Sequence, residues 1–293
     1  MNALSKAGEA ITQHFADAQP ISAISSPSQS RAYLEYGHPL RTAQPEHTTL
    51  VEEAAIAISI NGITHAVMMA TPEALQELAI GVALSDGILQ HLSELRDIVI
   101  DDQHALTLNQ YSVDITLSPR AQHRYKGVSK ARLGATGCGL CGVDSLSQAM
   151  PELTPLIPAP LPSQRVIDHA REWLLEVQKK ADISGGLHAA RLISNEEEPL
   201  LGFEDIGRHN ALDKVLGAAF LKEYDLHRHS VIMSSRCSHE LVQKAIRAQL
   251  STLVHLASPS QLAVDRANAH GLNLIHIPRH SAARIYAHSP DFD

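Results

Sequence analysis

Residues 187–235 read LHAARLISNEEEPLLGFEDIGRHNALDKVLGAAFLKEYDLHRHSVIMSS, and this stretch decides the fold. LHAARLIS and PLLGFEDIG are short apolar runs that predict strands; a helix from His209 and a strand at SVIMSS follow. The alternation continues outward. A helix at VIDHAREWLLEVQKKA precedes the stretch, and after it come a helix from His239, a strand at TLVHLAS, a helix opened by Ser258-Pro259, and LNLIHI as the last strand. Strands that alternate with helices predict an α/β fold, a mixed sheet with flanking helices. Ligands of such folds collect at the carboxyl ends of strands, and the polar clusters of this chain fall at or near those ends.

Upstream, AIAISI and ITHAVMMA are joined by Asn61-Gly62, the dipeptide of a type I′ hairpin. Thr71-Pro72-Glu73 has the hydroxyl, proline and acid of a helix start, and Gly87 is placed to end that helix. LRDIVIDD and HALTLNQYSVDITLS predict further strands, giving a smaller β-rich N-terminal part. From 119 to 137 the chain is basic, bears glycine and shows no period, so a long loop is expected. CGLCG closes it, and VDSLSQAM then suggests a short helix. Five prolines in PELTPLIPAPLPSQ exclude helix and central strand and mark a linker. The expected divisions are a mobile tail over 1–46, an N-terminal α+β part over 47–118, a CxxC-bearing loop over 119–145, a proline-rich linker over 146–163 and an α/β domain over 164–293.

At 293 residues, 44% hydrophobic and 19% charged, the chain suits a globular protein with a real core. It has no apolar run of membrane-spanning length, and its start, MNALSKAGEAITQHF, lacks the apolar centre of a secretory signal; a cytoplasmic protein is expected. A net charge of −8, from 24 basic and 32 acidic residues, argues against nucleic acid or an anionic membrane as partner. It leaves room for a small anionic ligand held by a few basic groups.

Three cysteines cannot form a disulfide framework, and Cys138 and Cys141 lie three apart between Gly137, Gly139 and Gly142. Small neighbours leave the sulfurs uncovered, and a helix start at Gly142 or Val143 would favour thiolate. Half a zinc knuckle and a sulfur-relay thiol stand level, with a redox pair behind them. Zinc lacks a second ligand pair beside the motif: His227 and His229 are too close, and His276 and His280 lie far along the chain.

Three further clusters accompany the cysteines. Gly185-Gly186-Leu187-His188 opens a strand, where paired glycines allow close backbone approach to a ligand. Glu204-Asp205-Ile206-Gly207-Arg208-His209-Asn210, with Asp213 and Lys214, passes from strand to helix, and free N–H groups beside Arg208 would suit an anion. At helical spacing His209 and Asp213 share one face, Asn210 and Lys214 another. Ser234-Ser235-Arg236-Cys237-Ser238, followed by Gln243 and Lys244, makes a second such junction, with Arg236 placed for phosphate and Ser238 as helix cap.

Together CGLCG, GGLHAA, EDIGRHNALDKVLG and SSRCSHELVQKA resemble the FdhD family, as do INGITHAVMMATPEALQELAIGVALSDGIL upstream and SPSQLAVDRANAHGLNLIHIPRHSAARIY downstream, so that the resemblance spans about residues 48–288 in order. The resemblance implies a sulfurtransferase that accepts sulfur from a cysteine desulfurase as a persulfide. It implies delivery of that sulfur to Mo-bis(molybdopterin guanine dinucleotide) for formate dehydrogenase, a cytidine-deaminase-like core in the C-terminal half, and a homodimer. Carried over, Cys138 holds the persulfide with Cys141 as partner or alternative acceptor. The family's cofactor stretch falls on Ile277, Pro278, Arg279, His280, Ser281 and Ala282, joined by Gly186, His188, Asp205, Arg208, His209, Asn210, Asp213, Lys214, Ser235 and Arg236; GDP is the expected mimic. Ala282 stands where the family usually has arginine, with Arg284 as a substitute, and Cys237 lies outside the signature. The rival readings are a zinc-binding, deaminase-like enzyme, which lacks an H-x-E motif here, and a non-catalytic guanine-nucleotide or cofactor escort.

Overall fold

A computed structural model describes residues 30–33, 46–126, 132–135, 150–180 and 185–289. Cys138, Cys141 and all but Met150 of the VDSLSQAM segment lie outside the described residues. Strands β1 (Ser30–Tyr33) and β2 (Glu46–Thr49) form an antiparallel pair, so the stretch read as a tail contains regular structure. Next come β3 (Ala54–Ile60), β4 (Ile63–Ala70), helix α1 (Leu75–Ser85), β5 (Leu95–Asp101), the single-turn α2 (Ala105–Leu108), β6 (Gln110–Leu117), α3 (Pro119–Lys126) and β7 (Arg132–Ala135). The C-terminal half runs α4 (Gln164–Leu175), β8 (His188–Ile193), β9 (Pro199–Asp205), α5 (Arg208–Leu221), β10 (Ser230–Met233), α6 (His239–Arg247), β11 (Thr252–His255), α7 (Gln261–His270), β12 (Asn273–His276) and β13 (Arg284–Ala287). No helix among the described residues is long and apolar enough to cross a membrane.

The N-terminal sheet has the order β5-β6-β3-β4-β7. Its hairpin turns on Asn61 (φ 50°) and Gly62 (φ 76°), as the type I′ reading requires. Ala54, Ile56, Ile58 and Ile60 alternate along β3 toward α1, and each fully buried isoleucine contributes roughly 1.5–3 kcal/mol. The C-terminal sheet has the order β13-β12-β11-β10-β8-β9, in which β10, β11 and β12 are parallel and β8, β9 and β13 join antiparallel. This is the expected mixed sheet. The three parallel strands are buried along their whole length because helices cover both faces: α4 on one side, and α5, α6 and α7 on the other.

Helix α1 lies against α5 and joins the two halves. The backbones come close because both helices carry glycine at the crossing. A Cβ on Gly81 would sit 1.9 Å from the Asp213 carbonyl oxygen, and one on Gly217 would sit 1.9 Å from that of Glu77. Leu84 of α1 enters the C-terminal core and Leu221 of α5 the N-terminal one, so the cores interlock.

Several expectations are corrected. Thr71 is not a helix cap: α1 starts at Leu75 after Ala74 in the left-handed region, and Thr71 is buried in a tertiary contact. Gly87 (φ 74°) does end that helix. The 104–118 strand is shorter than read, since residues 105–108 form a turn of helix closed by Asn109 at φ 51°. Residues 119–126 of the expected loop are helical, with Ala121 and Tyr125 buried one turn apart and Arg124 bound to Glu94 at 2.7 and 2.9 Å. Helix α4 stops at Leu175 rather than running on to Ala181, and Val177 packs where a Cβ on Gly202 would be. The last helix starts after Ser260, whose hydroxyl accepts the Ala263 N–H, two residues beyond Ser258-Pro259. LNLIHI is not the last strand, because β13 follows it.

The proline-rich stretch has no helix or strand from 151 to 163, but it is a strap rather than a free connection. Leu156 and Ala159 are buried, the Leu156 N–H donates to the His270 carbonyl, and Asn273 Nδ2 donates to the carbonyls of Ala159 and Pro160.

Candidate functional site

Topology brings the polar clusters to one edge of the C-terminal sheet. The carboxyl ends of β10, β11 and β12 finish there; β8 starts there, because it runs antiparallel to β10, and β9 ends there, with Asp205 opposite His188. Gly186 and His188, the 205–214 cluster, Ser235 and Arg236, and the Ile277–Ala282 stretch therefore share one rim, although up to 96 residues, 186 to 282, separate them in sequence.

Below the rim at the β9 end, the densest motif turns inward. Asp205 is fully buried. Its Oδ1 accepts from the Gly207 N–H and from Asn210 Nδ2, both at 2.8 Å. Its Oδ2 accepts from the Thr71 N–H (3.1 Å) and hydroxyl (3.0 Å), and pairs with Lys214 Nζ at 2.7 Å. Lys214, 1% exposed, also donates to the Thr71 carbonyl and hydroxyl, while Asn210 reaches the Met69 carbonyl. Burial pulls the Lys214 ammonium down from its ordinary value and the Asp205 carboxylate opposes that. Gly207 makes room for Asn210 rather than for a ligand: a Cβ there would meet Asn210 Nδ2 at 2.7 Å. The anion at this helix start is the chain's own Asp205.

The next turn of α5 repeats the pattern. Asp213, 1% exposed, accepts from the Ser85 hydroxyl at 2.6 Å and from Lys244 Nζ at 2.7 and 3.0 Å. Burial raises its carboxyl above the usual range, against the pull of Lys244. Arg247 donates to the Ser85 carbonyl, and His65 Nε2 lies 2.9 Å from Asp86, which extends the polar contact across both halves. His209 is buried as well. The two shared helix faces are present, and Asn210, Asp213 and Lys214 spend their polar groups inside the protein.

The rim itself presents other residues. Gly186 is exposed and His188 half-buried; burial, and then the nearby Arg208 charge, lower the His188 pKa while Asp205 opposes them. Arg208 is half-buried, Arg236 exposed, and Ser235 buried with its hydroxyl donating to the Arg236 carbonyl. Ile277 is buried, Pro278 half-buried, and Arg279, His280, Ser281 and Ala282 are exposed. Cys237 is buried in the core, and burial pushes its thiol well up. Ser238 occupies the cap position of α6, yet its hydroxyl caps nothing. A cavity of about 610 Å³ in the N-terminal half is lined by His91, Arg96, Arg120 and Arg124 among others, and holds none of the expected residues.

The reading of the sequence passed over His255 and weighed His276 only as a spaced pair with His280, far from the cysteines. Each closes an apolar strand, TLVH and NLIH, and the repeated placement of histidine at a strand end is the signal that could have found them.

The chain matches the FdhD/NarQ family over residues 51–292. Similar proteins include the sulfur carrier protein FdhD of Bordetella petrii, 35% identical over 84% of this chain and 87% of the relative, and that of Variovorax paradoxus, 36% identical over 80% and 84%. The crystal structure of a candidate formate dehydrogenase accessory protein from Desulfotalea psychrophila shares the fold, with a TM-score of 0.66 at 22% identity over 90% of this chain and 96% of that one. On these grounds the chain belongs to the FdhD/NarQ family.

Proposed function

We infer that the chain is a sulfur carrier serving formate dehydrogenase. In this reading a cysteine desulfurase passes sulfur to the Cys138 thiolate, and Cys141 is partner or alternative acceptor. As partner, its thiolate attacks the inner sulfur of the persulfide, closing a Cys138–Cys141 disulfide and releasing the outer sulfur at the sulfide level as the sulfido ligand of Mo-bis(molybdopterin guanine dinucleotide). The observation that carries the reading is the gathering of His188, Arg208, Arg236 and Ile277–Ala282 on one rim. The bis-pterin dinucleotide is long and polyanionic. From β12 to β9 the rim covers four interstrand steps, roughly 19 Å at ~4.8 Å each, and Arg208, Arg236 and Arg279 stand along it.

The residues divide by placement. Gly186, His188, Arg208, Arg236 and the segment Ile277, Pro278, Arg279, His280, Ser281 and Ala282 meet the substrate. Asp205, His209, Asn210, Asp213, Lys214 and Ser235 set the shape of the rim from beneath. Arg284, which opens β13 and is exposed, supplies the charge that Ala282 lacks. A core akin to that of cytidine deaminases, a homodimer and a cytoplasmic setting belong to the same reading.

The test is sulfur mapping by mass spectrometry after incubation with a desulfurase and cysteine. The adduct is expected on Cys138, absent from Cys138→Ala, and the double variant with Cys141→Ala is expected to leave formate dehydrogenase inactive while still binding GDP. Full activation by the double variant would end the carrier reading in favour of an escort.

A further inference from the structure

Met233, His255 and His276 form a row across β10, β11 and β12, each the register partner of the next. Alternation fixes their face. Val231, Met233, Leu253 and Leu274 belong to the core under α5, α6 and α7, while Ile232, Val254 and Ile275 belong to the core under α4. The two-residue repeat places His255 with Leu253 and His276 with Leu274, so all three side chains leave the sheet on the same side, in adjacent strands about 4.8 Å apart.

All three are interior: Met233 and His255 are 0% exposed and His276 5%. His255 Nδ1 lies 3.0 Å from the Ser235 carbonyl, which can only accept, so Nδ1 carries the proton and Nε2 keeps its lone pair. That Nε2 has no hydrogen-bond partner among the described residues, and neither has Nδ1 of His276. An ordinary core histidine explains the bond to Ser235 and nothing more. Backbone fixation of one ring nitrogen, with the other left bare, is also the arrangement that orients a metal ligand. Both rings stay neutral at neutral pH, because burial lowers both pKa values, that of His255 to about 4, and a proton on His276 further disfavours one on His255.

Size and charge narrow the occupant. Neither bare nitrogen is open to a water-sized group, and a hydrogen-bonded base edge needs about 2.9 Å of clearance where a metal–nitrogen bond needs only about 2.0–2.1 Å. No group of three His, Cys, Asp or Glu residues among those described is placed to hold a metal, so a third donor falls to the thioether next in the row. Two arginines, Arg284 and Arg171, act on His276, which disfavours a divalent ion. Two imidazoles and a thioether are neutral, soft donors of the kind that suit a soft monovalent ion.

We propose that Met233, His255 and His276 form a binding site for copper(I), with His255 Nε2, His276 Nδ1 and the Met233 thioether as donors. The test uses the full-length chain with Cys138→Ser and Cys141→Ser, so that those thiols do not take the metal, titrated anaerobically with copper(I) against bicinchoninate. One copper per chain is expected, with affinity falling roughly 100-fold in His255→Gln or His276→Gln and roughly tenfold in Met233→Leu. X-ray absorption is expected to show nitrogen and sulfur neighbours, the sulfur vanishing in Met233→Leu. That substitution conserves volume and keeps the test decisive should a histidine variant misfold. Copper retained unchanged in the folded histidine variants, no copper taken up at one equivalent, or zinc bound in preference to copper(I) would each overturn the site.

Discussion

The two ends of the rim are built on opposite principles. At the β9 end the buried charges of Asp205 and Lys214 meet each other, and Thr71, Gly207 and Asn210 complete the carboxylate's shell. At the β12 end two buried imidazole nitrogens face no partner among the described residues. Buried polar groups are almost always satisfied, so a saturated cluster explains itself as architecture and an unsatisfied one asks for something else. The EDIGRHNALDK stretch thus ties the halves together below the surface, while Arg236 and Arg279 stand exposed on the rim.

Breaking the saturated end has the largest expected effect. Lys214→Met leaves the Asp205 carboxylate buried with no counter-charge, and urea denaturation is expected to show a loss of about 3–5 kcal/mol. A loss under about 1 kcal/mol would mean that the pair does not hold the halves together. The unsatisfied end is tested by acid. His255 titrates at about 4 in the folded chain against an ordinary 6.5, so the unfolded chain takes the proton first. Its contribution is complete above about pH 6.5 and lost as the pH falls toward 4. At about 1.4 kcal/mol per pH unit the gap is worth about 3 kcal/mol, and stability measured against pH is expected to fall less steeply in that window for His255→Gln than for the parent. Equal slopes would show that the ring is hydrated in the folded protein. The exposed rim gives the smallest change in stability: Arg236→Ala is expected to stay within about 0.5 kcal/mol of the parent, yet to weaken GDP binding by roughly tenfold or more, read by calorimetry. Unaltered GDP affinity would remove Arg236 from the substrate rim.

Much of this was legible in the sequence because it is encoded locally. Asn61-Gly62 specifies its hairpin by backbone preference alone, Gly87 its helix end, and the alternation after residue 187 the mixed sheet. What was lost depends on contacts distant in sequence. Thr71 has every local mark of a cap, but Asp205, 134 residues on, claims both its N–H and its hydroxyl. Helix α3 is too polar to show a period, and its signal is only the pair Ala121 and Tyr125 with Arg124 held by Glu94, 30 residues back. In the site, residue type and helical spacing correctly grouped Asn210 with Lys214, yet nothing local says which way that face turns. His255 and His276 acquire meaning only when β11 and β12 lie side by side.

The strap has a consequence for biogenesis. Asn273 grips Ala159 and Pro160 across 114 and 113 residues, so that clasp has no counterpart on the ribosome until β12 has been translated. At about 5–20 residues per second the delay is on the order of ten seconds. For that interval the nascent polypeptide that already carries Cys138 and Cys141 lacks its C-terminal anchor, which makes the closing strands the step that commits a newborn chain to its finished form.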